Sequence, residues 1–487
     1  MSESATAPAP PLIADRLADF SDRLPAMLVK ELRQGLRAKT FVIVFLTLQA
    51  ILALVLLGSL GAARSPQSAG HFISGVIFLF FSYAVLVIQP VRGIGALHRE
   101  IQGNTIELMV LTRLNAWRIV LGKWVSLVSQ SALLLAAIVP YLILRYWFGD
   151  MNLFGELMLL GLVFVASAVL TAVIVGISCV PSVILRGLIP LLAAAGMIMA
   201  IPPLCFGYEF DELVDFASIP NARTFWAIAM LAVGGLYVGW TALGLGASMI
   251  APAAENHSTP RRWIILGLLV LSSLAGLFFE LPPEGLVLFV LVLVVPAVVM
   301  AITEPFALLP PVCLPFLKRG ALGALAGRVL YPGWPSGVVF AFVIIGLGAL
   351  ALWLGADQAF EQASVNILLA LLGFLLMPAA CLALLGERVR QRFVIYLLIL
   401  VAALILTLVL GFVAQAMPVR SRDFLWFFVW LPWIHAFLQI DHPPESLFFS
   451  VLAVTSGYAL ILLVAALLKF RDIRKIEQEC RTISSPQ

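Results

Sequence analysis

Apolar runs of about twenty residues recur along the chain and alternate with short polar segments. A run of this length crosses roughly 30 Å of hydrocarbon as a helix. The pattern predicts twelve transmembrane spans in an all-α polytopic membrane protein. The first six lie at about 41–62, 70–91, 123–146, 153–180, 185–204 and 224–250. The second six lie at about 263–279, 286–302, 337–356, 365–386, 393–416 and 447–468.

An aromatic segment at about 424–440 follows a different pattern. Pro432 interrupts it, and its tryptophans suit the boundary between lipid and water. The pattern predicts an interfacial or re-entrant segment on the outer side. The alternative is a thirteenth span, which would reverse the side on which the C-terminus lies.

The composition agrees with a membrane protein. Hydrophobic residues make up 62% of the chain and charged residues 11%, against about 45–50% and about 25% in soluble domains. These values exclude a disordered chain, a secreted disulfide scaffold and a soluble multidomain enzyme. The five cysteines have no metal-ligand spacing, so no metal site is expected.

The basic residues orient the spans. If the N-terminus is cytoplasmic, only five of the 30 Lys and Arg residues fall on the outer side: Arg64, Arg145, Arg223, Arg420 and Arg422. Basic residues favour the cytoplasmic side of a membrane. Both termini are therefore predicted to be cytoplasmic, and the span count to be even.

Three regions are expected along the chain. Residues 1–23 are polar and predict a flexible cytoplasmic tail. The polar, basic stretch 251–262 predicts a linker between a six-span unit at 24–256 and a second six-span unit at 257–487.

No Lys, Arg, Asp or Glu falls near the middle of a predicted span. Mid-span charges usually mark an ion or proton path, so their absence weakens the case for an ion-coupled carrier. Gln49 and Gln130 are mid-span amides and are interpreted as hydrogen-bonding links between helices.

The cytoplasmic segment 92–123 predicts two short capped helices. Asn104 or Thr105 can accept a hydrogen bond at the start of the first, and Glu107 lies in its first turn, where the helix dipole favours an anion. Asn115 can cap the second, which continues into the third span.

The segment before the first span predicts an amphipathic interfacial helix. Leucines alternate there with charged residues at helical spacing. The charged positions are Lys30, Glu31, Arg33 and Arg37.

The loop and this helix together resemble the ABC-2-type permeases of ATP-binding-cassette transporters. The resemblance in the loop is carried by Glu100, Gly103, Asn104, Thr105, Glu107, Leu108, Leu111, Thr112, Trp117, Gly122 and Lys123. Two departures stand out: Asn104 replaces the family's usual glycine, and Arg113-Leu114-Asn115 replaces its Pro-Leu-Ser.

The resemblance implies an exporter subunit in the bacterial plasma membrane. The loop would form a coupling helix that docks on a separate cytosolic ATPase, and the chain would work alone, as a homodimer or with a second permease. The sequence contains no P-loop, HExxH or GxSxG motif. The chain is therefore expected to be no enzyme itself and to hold no cofactor, ATP being bound by the partner.

Several alternatives stay open at this stage. The second long cytoplasmic loop, about 303–336, is either a diverged coupling loop or a basic, lipid-facing connector. An ion-coupled secondary carrier is one alternative function. An intramembrane enzyme acting on a lipid-linked substrate is another, and it would use the outer group Asp441, His442 and Glu445.

Overall fold

The structure is a computed structural model, and the part of the chain that it describes is predominantly helical, with no strand. The described residues are 26–62, 66–102, 115–147, 152–207, 209–218, 222–251, 256–278, 283–306, 308–355, 361–386, 389 and 391–484. The predicted tail at 1–23 lies outside them.

The N-terminal helices begin with a short one and continue with long apolar ones. They are α1 (Ala26–Leu36), α2 (Lys39–Ala62), α3 (Pro66–Ser82), α4 (Gln89–Arg92), α5 (His98–Gln102), α6 (Ala116–Tyr146), α7 (Leu153–Ile177), α8 (Val183–Phe206), α9 (Glu209–Ser218) and α10 (Ala222–Ile250). A π-helical segment, Tyr83–Ile88, joins α3 to α4 within the second span.

The C-terminal helices follow the same pattern. They are α11 (Ser258–Phe278), α12 (Pro283–Thr303), α13 (Pro310–Leu317), α14 (Gly320–Leu330), α15 (Trp334–Gly355), α16 (Gln362–Leu385), α17 (Arg392–Ala416), α18 (Ile434–Asp441) and α19 (Pro444–Ser484). A 3-10 helix, Val419–Phe428, precedes α18.

Eleven helices of the described chain are long and apolar enough to cross a membrane. They coincide with eleven of the twelve predicted spans, so the protein is an all-α, multi-pass membrane protein embedded in a lipid bilayer. The twelfth prediction falls on α11, a 21-residue helix. This helix is not among the eleven.

The aromatic segment is not one continuous helix. It consists of the ten-residue 3-10 helix and the eight-residue α18, separated by turns around Pro432. Each is too short to cross the roughly 30 Å of hydrocarbon alone. This geometry agrees with an interfacial or re-entrant segment, and its position in the bilayer stays a prediction.

The described residues fall into two compact units. One lies within Met1–Val175 and Ala194–Val214, and the other within Gly176–Ala193 and Asp215–Gln487. The expected division into halves at residue 256 stays a prediction.

The first unit is centred on α2, α3 and α6. Its apolar core is built from buried side chains of these helices, including Phe41, Leu52, Phe78, Leu134 and Ile138. The π-helical segment in the second span is fixed from α7, where the Ser167 hydroxyl donates a 2.6 Å hydrogen bond to the Val85 carbonyl.

The second unit depends on small residues at its helix contacts. Gly337 in α15 lies directly against the backbone of Ala301 in α12, and Gly176 lies against Ala242 in α10. Glycine lets two backbones approach closely, which is the usual basis of helix packing in membranes. These contacts hold α12 against α15 and α10 against the end of α7.

Candidate functional site

The predicted coupling loop is only partly described. Seven of its predicted docking residues lie outside the described residues: Gly103, Asn104, Thr105, Glu107, Leu108, Leu111 and Thr112. Glu100 lies in α5, and Trp117, Gly122 and Lys123 lie in the first turns of α6. The site can therefore be built from the helices on both sides of the loop.

The start of α6 is fixed by a side-chain cap. Asn115 has an extended backbone, with φ −67° and ψ 139°, and its Oδ1 accepts a hydrogen bond of 3.2 Å from the Trp117 backbone N–H. This confirms the prediction that Asn115 caps the helix. A Ser, Thr, Asn or Asp in this position satisfies one of the free N–H groups of the first turn.

Helix α1 packs against α6. The contact is close at Gly35, where an added Cβ would lie 3.2 Å from the Ser126 hydroxyl. Lys30, Arg33 and Arg37 are exposed, whereas Glu31 is half-buried. Helix α1 therefore turns Glu31 toward the protein and three basic residues toward solvent or lipid headgroups.

Glu31 forms an ion pair with Lys123. The two charged atoms are 3.4 Å apart, and the side chains are only 14% and 10% exposed. These residues were predicted separately, one in the interfacial helix and one at the end of the coupling loop. The structure brings them together and so attaches α1 to the helix that leaves the loop.

A second polar contact lies on the same face of α6. Gln130 follows Lys123 by seven residues, which is two helical turns. Its Oε1 accepts a 2.5 Å hydrogen bond from Arg92, and Arg92 also donates to Gln89 Oε1 at 2.6 Å. Both glutamines are 1% exposed. Helix α4, which enters the loop, is thus held to α6, which leaves it.

We call Glu31, Gln89, Arg92, Lys123 and Gln130 the elbow cluster. Glu31, Lys123 and Gln130 could be singled out from the sequence, whereas Arg92 and Gln89 could not. Arg92 carried a weak signal, because it is the first charged residue after the second span. Gln49, the other mid-span amide, donates to the Ala137 carbonyl at 3.5 Å and likewise links two helices.

Reversing one charge of the Glu31–Lys123 pair is expected to destabilise the first unit. Glu31→Lys would leave the nearly buried Lys123 ammonium beside a like charge, at a cost of about 1–3 kcal/mol. The double variant Glu31→Lys/Lys123→Glu should recover at least half of that loss. The measurement is the thermal unfolding midpoint of the purified chain in detergent.

Lys30→Glu serves as the matched control, because Lys30 lies one position earlier on α1 and is exposed. Its midpoint should stay close to that of the wild type. If the double variant were no more stable than Glu31→Lys alone, the ion pair would not be what joins α1 to α6.

Sequence reasoning also missed a buried polar network in the first unit. Ser74 donates to both carboxylate oxygens of Glu156, at 3.0 and 3.1 Å, and accepts a 2.9 Å hydrogen bond from Arg145 Nε. The three side chains are at most 4% exposed. Arg145 and Glu156 lie at the ends of α6 and α7. They therefore lack the usual sequence signal of a transport path, which is a charge near the centre of a span.

The outer group proposed for an intramembrane enzyme is arranged differently from a catalytic cluster. Asp441 accepts hydrogen bonds of 2.9 and 3.1 Å from Arg422, and the His442 ring packs on Trp426 at 5.6 Å. Glu445 lies in the first turn of α19. Within the described residues, no group of His, Cys, Asp or Glu could hold a metal ion.

His435, beside this outer group, is 1% exposed, and its Nδ1 lies 2.9 Å from the Pro432 carbonyl. Burial lowers the pKa of His435, because the charged ring loses its hydration. The neutral ring is thus part of the packing around the break in the aromatic segment.

The 303–336 loop, the second of the two long loops predicted to be cytoplasmic, is organised around Arg262. Its guanidinium donates to the carbonyls of Val329 and Tyr331 at 2.9 and 2.6 Å, and to Glu304 Oε2 at 2.8 Å. Arg262 is 3% exposed. This one side chain therefore joins α11 to both ends of the 303–336 loop.

The two short helices of this loop, α13 and α14, pack against the long C-terminal helix α19. Leu308, Cys313 and Tyr331 form a buried cluster with Ile473 and Cys480. Arg328 pairs with Glu477 at 2.8 Å, and the hydrogen bond to Glu477 raises the pKa of Arg328. The packing leaves open whether the loop is a coupling loop or a connector.

No protein-family model matches the chain, and neither a curated protein nor a solved structure shows significant similarity to it. The resemblance to ABC-2-type permeases therefore stays a proposal based on the loop and the interfacial helix.

Proposed function

We propose that this protein is the membrane-spanning subunit of an ATP-binding-cassette exporter of the ABC-2 type. Its place would be the bacterial plasma membrane, with both termini in the cytoplasm. The observation that carries the proposal is the Glu31–Lys123 contact, which attaches the interfacial helix to the helix that leaves the predicted coupling loop.

The elbow cluster suits the transmission of force from a docked ATPase. The loop at 103–114 enters from α4 and α5 and leaves through α6, and Arg92 and Gln130 hold α4 and α6 together. A displacement of the loop would therefore move α1, α4 and α6 as one body. Helix α6 has 31 residues and so spans about 46 Å, which carries such a movement across the whole bilayer.

Energy for transport would come from a partner. The chain has no phosphate-binding loop, so ATP would be bound and hydrolysed by a separate cytosolic subunit. ATP-driven closure of that subunit would shift the permease between inward-facing and outward-facing states. The substrate must bind these two states with different affinity for the cycle to move it.

The test is co-purification with a co-expressed candidate ATPase subunit, using a tag on this chain. Glu107→Arg places a positive charge in the first turn of the predicted coupling helix, where the dipole disfavours it. We expect the wild type to retain the ATPase and Glu107→Arg to lose at least nine-tenths of it. ATP turnover of the complex should fall in parallel.

Glu361→Arg is the matched control for Glu107→Arg. Glu361 is exposed and lies in a loop predicted to be on the outer side, where no ATPase can reach it. It should bind the ATPase as the wild type does. A monodisperse wild-type chain that never retains an ATPase would contradict the exporter proposal.

The buried network in the first unit favours a second candidate, an ion-coupled carrier. A buried carboxylate near an arginine at the ends of membrane helices is a type of group that can carry protons in transporters. Ser74, Arg145 and Glu156 form such a group. Transport in proteoliposomes that follows an imposed pH gradient without ATP would support this candidate over the exporter.

The intramembrane-enzyme alternative gains no support from the described residues. Asp441, one of the two carboxylates in the group that it would use, is paired with Arg422.

A further inference from the structure

Three buried polar side chains of the first unit lack hydrogen-bond partners among the described residues. They are Gln89 near the end of the second span, Ser131 in α6 and Thr171 in α7. Each is at most 1% exposed. The atoms without a partner are the Gln89 Nε2 and the two hydroxyl oxygens. Buried polar atoms of this kind are rare in folded proteins, and each one requires an explanation.

The packing of the second span against α7 places Gln89 opposite Thr171. Three contacts between these helices join residues that are 82 positions apart: Ser74 with Glu156, Val85 with Ser167, and Gly93 with Val175. The two helices therefore lie side by side in parallel, with one register over their whole contact. The same spacing pairs Gln89 with Thr171.

The packing of the second span against α6 brings Ser131 to the same level. These two helices are antiparallel, as two contacts show: Ser74 with Arg145, and Gly93 with Leu127. Gln89 lies about one helical turn before Gly93, and Ser131 lies about one turn after Leu127. Because the helices run in opposite directions, both steps lead the same way. Gln89, Ser131 and Thr171 therefore form one layer where three helices meet, which we call the polar layer.

The polar layer presents hydrogen-bond donors. Arg92 donates to the Gln89 Oε1 at 2.6 Å. A guanidinium has no acceptor, so the amide oxygen of Gln89 must be the atom that faces it, and the Nε2 group is left to donate elsewhere. The hydroxyls of Ser131 and Thr171 can donate as well.

Arg92 adds a positive charge beside the polar layer. Within the described chain its hydrogen bonds go to the neutral amide oxygens of Gln89 and Gln130. The one carboxylate of the elbow cluster, Glu31, is paired with Lys123. The elbow cluster therefore has a net positive charge, and buried charges in proteins are normally compensated by a partner of opposite sign.

We propose that the polar layer binds a chloride ion. A chloride ion accepts hydrogen bonds from Gln89, Ser131 and Thr171 at once and also offsets the charge of Arg92. A water molecule could accept some of these hydrogen bonds, but it carries no charge. The near-complete burial of the three side chains limits the ligand to a small ion. The proposal does not rest on the exporter function.

The test uses the purified full-length chain in detergent, in buffers of sodium gluconate, chloride or bromide at one ionic strength. A ligand that binds only the folded chain raises the thermal unfolding midpoint. We expect chloride and bromide, each titrated against gluconate, to raise the midpoint along a saturable binding curve.

Ser131→Ala and Thr171→Val should each weaken chloride binding about tenfold or more, because each removes a hydrogen bond to a charged group. In gluconate their midpoints should change little, because the hydroxyl that each removes has no partner within the described chain. Ser129→Ala is the matched control. It makes the same change on the same helix, but the Ser129 hydroxyl donates to the Val125 carbonyl at 2.7 Å. Its chloride affinity should match that of the wild type.

Two results would overturn the proposal. Equal midpoints in chloride and gluconate would show that the polar layer holds at most water. Wild-type chloride affinity in both hydroxyl variants would place the chloride site elsewhere in the chain.

Crystals of the wild-type chain grown in bromide keep the proposal testable if both variants fail to fold. Bromide scatters X-rays anomalously, so an anomalous difference peak is expected among Gln89, Ser131 and Thr171. Peaks confined to other parts of the chain would overturn the proposal.

Discussion

Gly337→Ala is expected to prevent the second unit from reaching a stable fold. An added Cβ at Gly337 would overlap the carbonyl oxygen of Ala301 on the neighbouring helix. Backbone atoms cannot rotate away as a side chain can, so α12 and α15 would have to separate. Overpacking of a tight core costs about 1–3 kcal/mol of stability and sometimes more. The loss of stability caused by Gly337→Ala should be at or above the upper end of this range.

The separation would also loosen the apolar core around these helices. One buried cluster contains residues of both helices, each at most 1% exposed: Val298 in α12 and Val338 and Ala341 in α15. The measurements are the yield of monodisperse protein by size exclusion and its thermal unfolding midpoint. Gly337→Ala should lose most of the yield or show a midpoint lower by several degrees.

Gly346→Ala is the matched control, because it makes the same change on the same helix. An added Cβ at Gly346 meets no atom within 4 Å. Alanine is the better helix former by up to about 1 kcal/mol, so this variant should be as stable as the wild type or slightly more stable. Equal stability of the two variants would mean that α12 and α15 do not approach as described.

The spans were predictable because the signal is local. Crossing a bilayer requires a certain length of apolar chain, and that length can be counted in the sequence. The apolar run shows where a span lies but not where its helix ends: α19 is a single 41-residue helix that continues through the basic tail, past the predicted end at 468.

The contacts of the candidate site were much less predictable. Asn115 could be identified as a cap, because its partner Trp117 is two residues away. Glu31 and Lys123 are 92 residues apart, and each alone resembles an ordinary residue at a membrane surface. Only the packing of α1 on α6 pairs them, and hydropathy carries no information on that packing.

The contacts of Arg262 could not be predicted from the sequence for a related reason. A sequence with Arg261-Arg262 at the start of a span indicates a basic end that marks the cytoplasmic side. In the structure the two neighbours have different partners, since consecutive residues on a helix point about 100° apart. Arg262 donates to the carbonyls of Val329 and Tyr331 and to the Glu304 carboxylate, whereas Arg261 donates to the Gly244 carbonyl.

Arg262→Gln is therefore expected to be far more damaging than Arg261→Gln. Arg262 donates to the Val329 and Tyr331 carbonyls and is ion-paired with Glu304. Glutamine is neutral and shorter, so it would leave these acceptors unpaired and the Glu304 carboxylate without its counter-ion. Removing one partner of a buried ion pair costs about 3–5 kcal/mol.

The thermal unfolding midpoint of each variant in detergent measures the difference. Arg261→Gln loses one hydrogen bond to a carbonyl and should stay close to the wild type. Adding Glu304→Gln to Arg262→Gln should recover part of the lost stability, because it removes the uncompensated carboxylate.

Equal midpoints for Arg261→Gln and Arg262→Gln would contradict the conclusion that the hydrogen bonds of Arg262 hold this region together and that of Arg261 does not. A double variant no more stable than Arg262→Gln would show that the carboxylate is not the source of the cost.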